Sequence, residues 1–366
     1  MSKKIIAFAC SDISRDARAQ RTAAALSAKY EVTVISKDCG VSLPVTSYKN
    51  YLIGKGIFTR KNYFPTIYKA YKIIKKERPD IFYGHDFFSS LLVKILLRRK
   101  YCRKVIYDAH ELYIPQPGRS LPRGHYFFYL IEKTIVKKVD LLLCANSERA
   151  EKMAEHYGLE KRPIPIRNIS QLQINDDETT RGILDSLKDF FERPGMTVVY
   201  AGVVSAERKV DKLVQEVGSC PDKYKLLIIG TGSALDSVKE IAGRYPSLTC
   251  AFTGPIPHDS LGALLSRCDV GYIYYPTNTL NTLYCASNKV YEYASVGLPM
   301  LSNENPTIKN ALETHEMGIA SNDIVQGLQQ LSGHLDTYRE NCLKFSKENP
   351  WSQEAEKLLN AIEKLS

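Results

Sequence analysis

A short segment of the chain combines residue types that bind anions and hydroxyl groups. It covers residues 286–299, with the sequence ASNKVYEYASVGLP. Ser287 and Asn288 are favoured N-cap residues, so a helix is expected to begin there, and its free N–H groups and dipole attract an anion. Lys289 adds a positive charge. Glu292, about one turn further on, could accept two hydrogen bonds from the hydroxyls of a ribose, or could instead be a solvated glutamate in a capping arrangement.

Glycines follow three short apolar runs in the same half of the chain. A glycine lets a backbone approach closely, and a cation near a helix start suits a phosphate. Ile256, two residues after one of these glycines, could lie against a flat base. The GTG stretch lacks the third glycine of a dinucleotide fingerprint, and a tight turn would explain each glycine by itself. The candidate binding residues are Gly202, Arg208, Gly230, Thr231, Gly254 and Ile256.

Polar residues also follow apolar runs in the first half. His110 and Glu111 lie in the sequence DAHE, and His85 lies in GHD at the end of the preceding apolar run. Each histidine could contact a ligand or be a satisfied loop residue. Arg18 or Arg21 could hold the phosphate of an acceptor, and the alternative is a solvated helix face.

The elements that must position these residues alternate regularly along the chain. Short apolar strands separated by helices predict parallel βαβ units and doubly wound sheets, whose ligands bind beyond the carboxyl ends of the strands. Residues 170–195 are polar and punctuated by Pro-Gly, which predicts an interdomain connection. Strands are expected at 4–10, 31–36, 80–83, 104–107, 140–144, 197–201, 225–229, 248–252, 269–274 and 298–301. Helices are expected from about 17, at 65–77, 88–99, 124–138, from 147, at 209–217, 234–243, 259–266, 288–296 and, broken at Pro350-Trp351, over 335–366.

Taken together and in this order, the motifs resemble the retaining GT-B glycosyltransferases of family 4, also called group 1. The matching segments are 80–86 (DIFYGHD), 105–112 (VIYDAHEL), 200–208 (YAGVVSAER), 226–232 (LLIIGTG), 252–254 (FTG) and 289–299 (KVYEYASVGLP). The resemblance implies an α/β fold of two Rossmann-like domains facing a cleft. Residues 1–170 would bind the acceptor and face a membrane. Residues 171–349 would bind the nucleotide sugar, and 350–366 would form a helix that crosses back to the first domain.

The same resemblance assigns roles to the candidate residues. Glu292 would hold the donor ribose, and Arg208, Lys289 and the amides near Ser287 would neutralise the leaving diphosphate. His110 would reach the sugar and the reacting centre, and the leaving phosphate would take the acceptor proton. The donor would be a nucleotide sugar, with UDP as the expected nucleotide, and neither a cofactor nor a metal ion is expected.

The sequence departs from the family pattern at two positions. Tyr284 stands where the family often has the first glutamate of a Glu-x7-Glu pair, so a carboxylate contact to the donor sugar is missing. Val203 stands where an arginine often follows the glycine of the diphosphate loop. Lys289 is expected to take the place of that cation.

Composition narrows the class of protein. The chain has 366 residues, 44% of them hydrophobic and 25% charged, as in ordinary globular domains. Its nine cysteines form no CxxC pair, which argues against zinc ribbons and a disulfide framework. Residues 1–170 carry 32 Lys and Arg against 15 Asp and Glu, a net charge of +17. The remaining residues carry 18 against 25, a net charge of −7.

The excess positive charge lies in segments that suggest an anionic partner. Residues 69–78, 94–104 and 133–138 interleave cations with Tyr, Ile and Leu, as helices on an anionic bilayer do. Solvated helix faces are the alternative, and a nucleic-acid partner is not expected because no recognition element accompanies the charge. We expect neither a membrane span nor a signal peptide, and a cytoplasmic location on the inner face of the membrane.

The expected activity is sugar transfer to a glycan or lipid-linked acceptor in bacterial surface polysaccharide synthesis. One alternative is a nucleotide-sugar epimerase or a phosphorylase of the same architecture. An epimerase should need acidic and basic groups around the sugar. Tyr284, in place of a glutamate, removes one such group and argues against this alternative. The other alternative is an inactive GT-B partner subunit, which the departures at Tyr284 and Val203 suggest and the presence of Glu292 and Arg208 opposes.

Overall fold

The computed structural model describes residues 2–38, 46–55, 59 and 61–365. It contains two compact units, Met1–Asn168 with Ser352–Ser366 and Ile169–Trp351, which we call the first and the second domain. The sequence led us to expect domain limits after residues 170 and 349. Cys39 lies outside the described residues, and the other eight cysteines are free thiols.

The first domain is built on a parallel sheet whose described strands follow the order β3-β2-β1-β4-β5-β6-β7. Strand β1 pairs with β2 on one side and β4 on the other, which accounts for its run of six buried residues. The strands are β1 (Lys4–Asp12), β2 (Glu31–Asp38), β3 (Lys49–Lys55), β4 (Ile81–His85), β5 (Lys104–Ala109), β6 (Leu141–Cys144) and β7 (Ile164–Pro165).

The connecting helices of this domain begin and end at recognisable signals. The Asp16 carboxylate accepts the Ala19 N–H at the start of the first helix, and Asn146 caps the fifth in the same way. Gly158 ends that fifth helix in the left-handed conformation. The helices are α1 (Ala17–Ser27), α2 (Tyr63–Glu77), α3 (Ser90–Leu96), α4 (Arg123–Ile135) and α5 (Ser147–Tyr157).

The second domain repeats this architecture with the strand order β10-β9-β8-β11-β12-β13, again all parallel. Two apolar clusters form its core, one around Tyr293 and Leu264 and one around Tyr200 and Leu213. Its strands are β8 (Met196–Ala201), β9 (Tyr224–Ile229), β10 (Cys250–Gly254), β11 (Val270–Ile273), β12 (Met300–Ser302) and β13 (Gly318–Ala320). Its helices are α6 (Glu178–Ser186), α7 (Lys188–Glu192), α8 (Val210–Gly218), α9 (Leu235–Ala242), α10 (His258–Leu265), α11 (Leu280–Leu283), α12 (Asn288–Ser295), α13 (Pro306–Thr314), α14 (Ile324–Ser332) and α15 (Leu335–Glu348).

The last helix, α16 (Trp351–Glu363), belongs mainly to the first domain. The Glu354 carboxylate is buried and accepts hydrogen bonds from the backbone N–H of Arg167 at 2.9 Å and from its Nε at 2.7 Å. Nζ of Lys29 donates to Glu363 at 2.5 Å. These contacts fix the helix to the first domain.

Every predicted strand is present. The prediction that residues 170–195 only connect the domains is wrong, because this segment lies within the second domain and forms two helices. Asp177 caps the first turn of α6, and Phe190 of α7 is buried in the core. The helix predicted over 88–99 is split, because Phe87–Ser89 forms a 3-10 turn before α3. Within the described part of the chain, none of the helices is long and apolar enough to cross a membrane.

Candidate active site

Three strand ends of the second domain are held together by glycines. Gly202, Gly230 and Gly254 follow or end β8, β9 and β10, and each has a positive φ, of 141°, 125° and 69°. The Gly230 N–H donates to the Gly254 carbonyl at 2.9 Å, and a Cβ on Gly230 would lie 2.1 Å from the Gly202 oxygen. Only glycine fits there. The three predicted loops are therefore in contact with one another, and their sharing of one ligand stays a prediction.

Lys289 lies directly beside this glycine cluster. A Cβ on Gly202 would be 2.9 Å from Lys289 Nζ, and Nζ lies 5.2 Å from the centroid of the Tyr200 ring. Burial, followed by the positive charge of Arg208, lowers the pKa of Lys289 to about 8. None of the described carboxylates forms an ion pair with it, although the charge of Glu292 opposes the lowering of its pKa. A bound anion would therefore stabilise the charged form of Lys289.

Arg208 is positioned by the loop after β11. Its guanidinium carbon lies 4.1 Å from the centroid of the Tyr275 ring, and Nη1 donates to the Tyr274 carbonyl at 3.1 Å. A cation–π contact of this kind holds the side chain without neutralising its charge. Arg208 and Lys289 thus place two positive charges in one region, as predicted from the sequence.

The start of helix α12 carries polar atoms that are ready for a ligand. Ser287 is the N-cap residue, as predicted, but its side chain makes no capping hydrogen bond. Its Oγ and the Oδ1 of Asn288 are both buried, and neither has a hydrogen-bond partner among the described residues. Since a buried polar atom normally has a partner, these two atoms indicate that something polar binds here.

Glu292 lies one turn into the same helix, with its side chain 15% exposed. Nε2 of His258 is 3.6 Å from its Oε1, a neighbour that the sequence did not reveal. Ile256 is half-buried against the apolar core, whereas Thr231 is exposed and the space beside the Cα of Gly254 is open. Thr231 and Gly254 therefore leave room for a ligand, and Ile256 is partly covered by the core.

The two positions that depart from the family pattern also lie in this domain. Val203 is 64% exposed, and its carbonyl accepts a hydrogen bond from Tyr200 Oη at 2.6 Å. Tyr284 is half-buried and ends helix α11. Nothing in these contacts replaces the carboxylate that the family often has at position 284.

A network of charged residues is buried at the carboxyl ends of β4 and β5 in the first domain. Asp108 is its centre and is fully buried. Arg18 donates to both of its carboxylate oxygens, at 3.2 Å from Nε and 2.7 Å from Nη2, and Tyr83 Oη donates to Oδ2 at 2.9 Å. Burial alone would raise the pKa of Asp108, but the charges of Arg18 and His110 hold it well below its usual value.

The role expected for Arg18 does not fit this geometry. The side chain is only 4% exposed, and Nη1 also donates to the Ile166 carbonyl at 2.6 Å. An arginine so enclosed balances the Asp108 charge and is not available to an acceptor phosphate. Arg21, the alternative, donates from Nη2 to Asn168.

His110 is the member of this network that reaches the surface, with its side chain 15% exposed. Nε2 is 3.4 Å from Asp108 Oδ2 and 3.3 Å from His85 Nδ1. Burial lowers the pKa of His110, but the Asp108 carboxylate outweighs it and the net pKa is raised. Burial and the charge of His110 lower the pKa of His85 to about 3, so His85 is neutral. Of the pair, His110 is therefore the ring that accepts an additional proton more readily.

The loop after His110 is fixed by Arg149 from helix α5. Its Nη1 donates to the His110 carbonyl, and Nη2 lies 3.8 Å from Glu111 Oε2. Glu111 is 40% exposed. The predicted residues His85, His110 and Glu111 thus belong to one cluster, while Asp108, Tyr83 and Arg149 were not singled out from the sequence.

The ligating atoms of His85, Asp108 and His110 lie within 4.8 Å of one another, which is close enough to hold a metal ion. Both Asp108 oxygens already accept hydrogen bonds from Arg18, and a cation would be repelled by that guanidinium. The geometry thus favours a buried charge network over a metal site.

Comparisons with known proteins agree with this description. Residues 17–167 match the model of Glycosyltransferase Family 4. The fold is similar to a sucrose-phosphate synthase from Thermosynechococcus elongatus (15% identity, 99% of both chains covered, TM-score 0.73). It is also similar to Anabaena HepE in complex with UDP and glucose (12% identity, 99% of this chain and 100% of that one, TM-score 0.73).

A third similar structure is WaaG, a glycosyltransferase involved in lipopolysaccharide biosynthesis (12% identity, 96% of this chain and 98% of that one, TM-score 0.70). No curated protein sequence matches the chain. The resemblance noted in the sequence is thereby confirmed at the level of fold and first domain. The chain has the GT-B glycosyltransferase fold, and its residues 17–167 match glycosyltransferase family 4.

Proposed function

We propose that this chain transfers a sugar from a nucleoside-diphosphate sugar to a hydroxyl group of an acceptor. The observation that carries the proposal is Lys289, a cation with a lowered pKa that lies beside Gly202 and forms no ion pair with a described carboxylate. Arg208 and the unpartnered polar atoms of Ser287 and Asn288 complete a set of groups suited to a diphosphate.

This set can also promote the reaction. Negative charge develops on the diphosphate as the bond to the sugar breaks, and donors fixed in advance stabilise that charge. Lys289 and Arg208 supply the charge, and the N–H groups at the start of α12 supply oriented dipoles. Glu292 is assigned to the ribose hydroxyls, because its carboxylate is partly exposed one turn from the proposed phosphate position.

We assign UDP as the nucleotide of the donor. Support comes from the family resemblance and from HepE, whose structure contains UDP and glucose. Ile256 and the open space beside Gly254 are the proposed neighbours of the base.

For the sugar itself we assign a hydrogen-bond donor, His110. The Asp108 carboxylate raises the pKa of His110, which favours the protonated ring as a donor to a sugar oxygen. Retention of configuration, with the leaving phosphate taking the acceptor proton and no metal required, follows the family resemblance.

A glycan or a lipid-linked acceptor in bacterial surface polysaccharide synthesis is the proposed setting. The net charge of +17 on residues 1–170 supports a polyanionic or membrane-bound partner for that half and a location on the inner face of the membrane. WaaG, which shares the fold, is involved in lipopolysaccharide biosynthesis.

The test is a thermal-shift screen of the full chain against UDP, GDP, ADP, CMP and their common sugars, without added metal. A ligand at a hundredfold excess over its Kd stabilises the folded state by about 2.7 kcal/mol. We expect a shift with uridine nucleotides that Lys289→Met abolishes and that Lys209→Met, at an exposed neighbouring lysine, leaves intact.

Product analysis then separates the alternatives. A new sugar isomer formed without acceptor would indicate an epimerase, and binding without any turnover would indicate an inactive partner subunit. The absence of a shift with every nucleotide, in a folded sample, would refute the proposed donor site.

A further inference from the structure

Two helices of the first domain expose large apolar side chains to solvent. Helix α2 exposes two aromatic rings, and α4 exposes two rings and a leucine. We call these residues the aromatic patch: Phe64 (61% exposed), Tyr68 (57%), Tyr126 (47%), Phe127 (45%) and Leu130 (46%). A group of this size on the surface of a folded domain marks an interaction site more often than isolated exposed residues do.

The patch is separate from the faces that these helices bury. Helix α2 packs through Ile67, Ala70 and Ile74, and α4 packs through Ile131 and Ile135. Each helix therefore has a second apolar face in addition to its core face. On α2 the exposed rings of Phe64 and Tyr68 are one turn apart, and on α4 Phe127 and Leu130 have the same relation.

Ring contacts join the two helices into one surface. The Phe64 ring lies 5.3 Å from Tyr63, Tyr63 lies 5.0 Å from Phe128, and Phe128 lies 5.2 Å from Phe127, all measured between centroids. Tyr63 is buried and donates through Oη to the Phe88 carbonyl at 2.8 Å. The exposed rings of Phe64 and Phe127 are thus connected through the buried ring of Tyr63 and through Phe128.

The surroundings of the patch are cationic. Residues 61–76 and 112–131 contain no Asp or Glu. Nζ of Lys72 lies 4.7 Å from the centroid of the Tyr68 ring. The one acidic residue within α4, Glu132, is buried and bonded to two tyrosines. Exposed cations around the rings are Lys61, Lys69, Lys72, Arg123 and Lys133.

We propose that the aromatic patch inserts into the headgroup region of an anionic bilayer, with the surrounding lysines and arginines on the lipid phosphates. Aromatic rings favour the membrane–water interface, and basic residues beside them add attraction to anionic lipids. The exposed cations of the two helices, in segments 61–76 and 112–131 that carry no Asp or Glu, and at Lys133, complement such a surface. The inference deepens the membrane location proposed above by assigning it to particular residues, and it does not depend on sugar transfer.

The experiment is co-sedimentation of the full chain with vesicles of phosphatidylcholine alone or mixed with phosphatidylglycerol. We expect binding to the anionic vesicles and little to the neutral ones. The double variant Phe64→Ser/Phe127→Ser should bind the anionic vesicles at least about tenfold more weakly. Ile174→Ser is the matched control, because Ile174 is 64% exposed in the second domain, and it should bind like the wild type.

Controls separate this proposal from folding and from the donor site. The melting temperature and the UDP-induced shift of the double variant should equal those of the wild type, because neither position is buried. If UDP binds no variant and vesicle binding still follows the pattern above, the donor proposal fails and the membrane proposal stands.

Three outcomes would overturn the membrane proposal. The wild type could fail to bind anionic vesicles, or the double variant could bind them as well as the wild type does. Sedimentation velocity could also show a dimer that the double variant dissociates, which would assign the patch to a second copy of the chain.

Discussion

The pKa of Lys289 makes the proposed diphosphate site sensitive to pH in a defined direction. In the free protein that pKa is lowered to about 8 by burial and by the charge of Arg208. A bound diphosphate would add negative charge beside the ammonium group and raise the pKa again. Binding should therefore take up a proton at any pH where the free lysine is partly neutral.

The magnitude follows from the titration of one group. At pH 8 about half of the free molecules have a neutral Lys289, so UDP binding should take up about half a proton. The affinity follows the protonated fraction of the lysine, which falls about tenfold between pH 7 and pH 9. In free energy this change is about 1.4 kcal/mol, and its sign is weaker binding at higher pH.

Titration calorimetry at pH 8, in two buffers with different ionisation enthalpies, measures the proton uptake directly. Lys289→Met should bind weakly and lose both the uptake and this pH dependence, whereas Lys209→Met should keep them. Ionisation of the nucleotide itself would persist in both variants and is thereby subtracted. Equal wild-type affinity at pH 7 and pH 9, or uptake that survives in Lys289→Met, would refute the reasoning.

Three further changes have definite expected results. Glu292→Ala should raise the KM for the donor more than it lowers kcat, because the ribose contact exists in the ground state as well; steady-state kinetics decides, and a pure kcat effect would contradict the ribose assignment. Asp108→Asn leaves Arg18 buried without its counter-charge and should lower the free energy of unfolding by about 3–5 kcal/mol in denaturant. An unchanged denaturation midpoint would show that this ion pair does not stabilise the fold. Burial raises the pKa of Glu132 to about 7, above its value in the unfolded chain. The contribution of Glu132 to the free energy of unfolding is therefore present in acid and is lost as the pH rises through 7. Over pH 5 to 8 the wild type should lose about 2.5 kcal/mol of unfolding free energy relative to Glu132→Gln, measured by urea unfolding, and parallel pH profiles would exclude this.

Sequence patterns revealed the donor loops because their signals are local. Gly202, Gly230 and Gly254 each follow an apolar run, and the structure shows that the backbone of Gly230 approaches that of Gly202 too closely for any side chain. The start of α12 was likewise predictable from Ser287 and Asn288. A helix start and a strand end depend on a few adjacent residues, so one sequence is enough to find them.

The charge network of the first domain could not be found in that way. Arg18 and Asp108 are 90 residues apart, and only the packing of α1 against the sheet brings them into contact. From the sequence, Arg18 was as suited to a solvent-facing role as to a buried one. Tyr275 beside Arg208 is a similar case, since a loop tyrosine gives no sign of its partner.

The sequence prediction missed secondary structure where apolar residues are few or where their runs are short. Strand β3 (KNYLIGK) has one buried residue among seven, and its apolar run is only three residues long. Helices α6 and α7 lie in a segment whose polar first half suggested a linker, although Asp177 is a favoured N-cap and Phe190 reaches the core. Capping residues were the better signal in this segment than mean polarity.

The return of the chain to the first domain bears on how the molecule is made. The ribosome synthesises the whole of Ile169–Trp351 before residues 352–366 appear. The contact between Arg167 and Glu354 can therefore form only late in translation. The second domain is one continuous segment that a single gene fragment can encode. The first domain needs two fragments, and a nascent chain that carries only its first part lacks the contacts that α16 makes with Arg167 and Lys29.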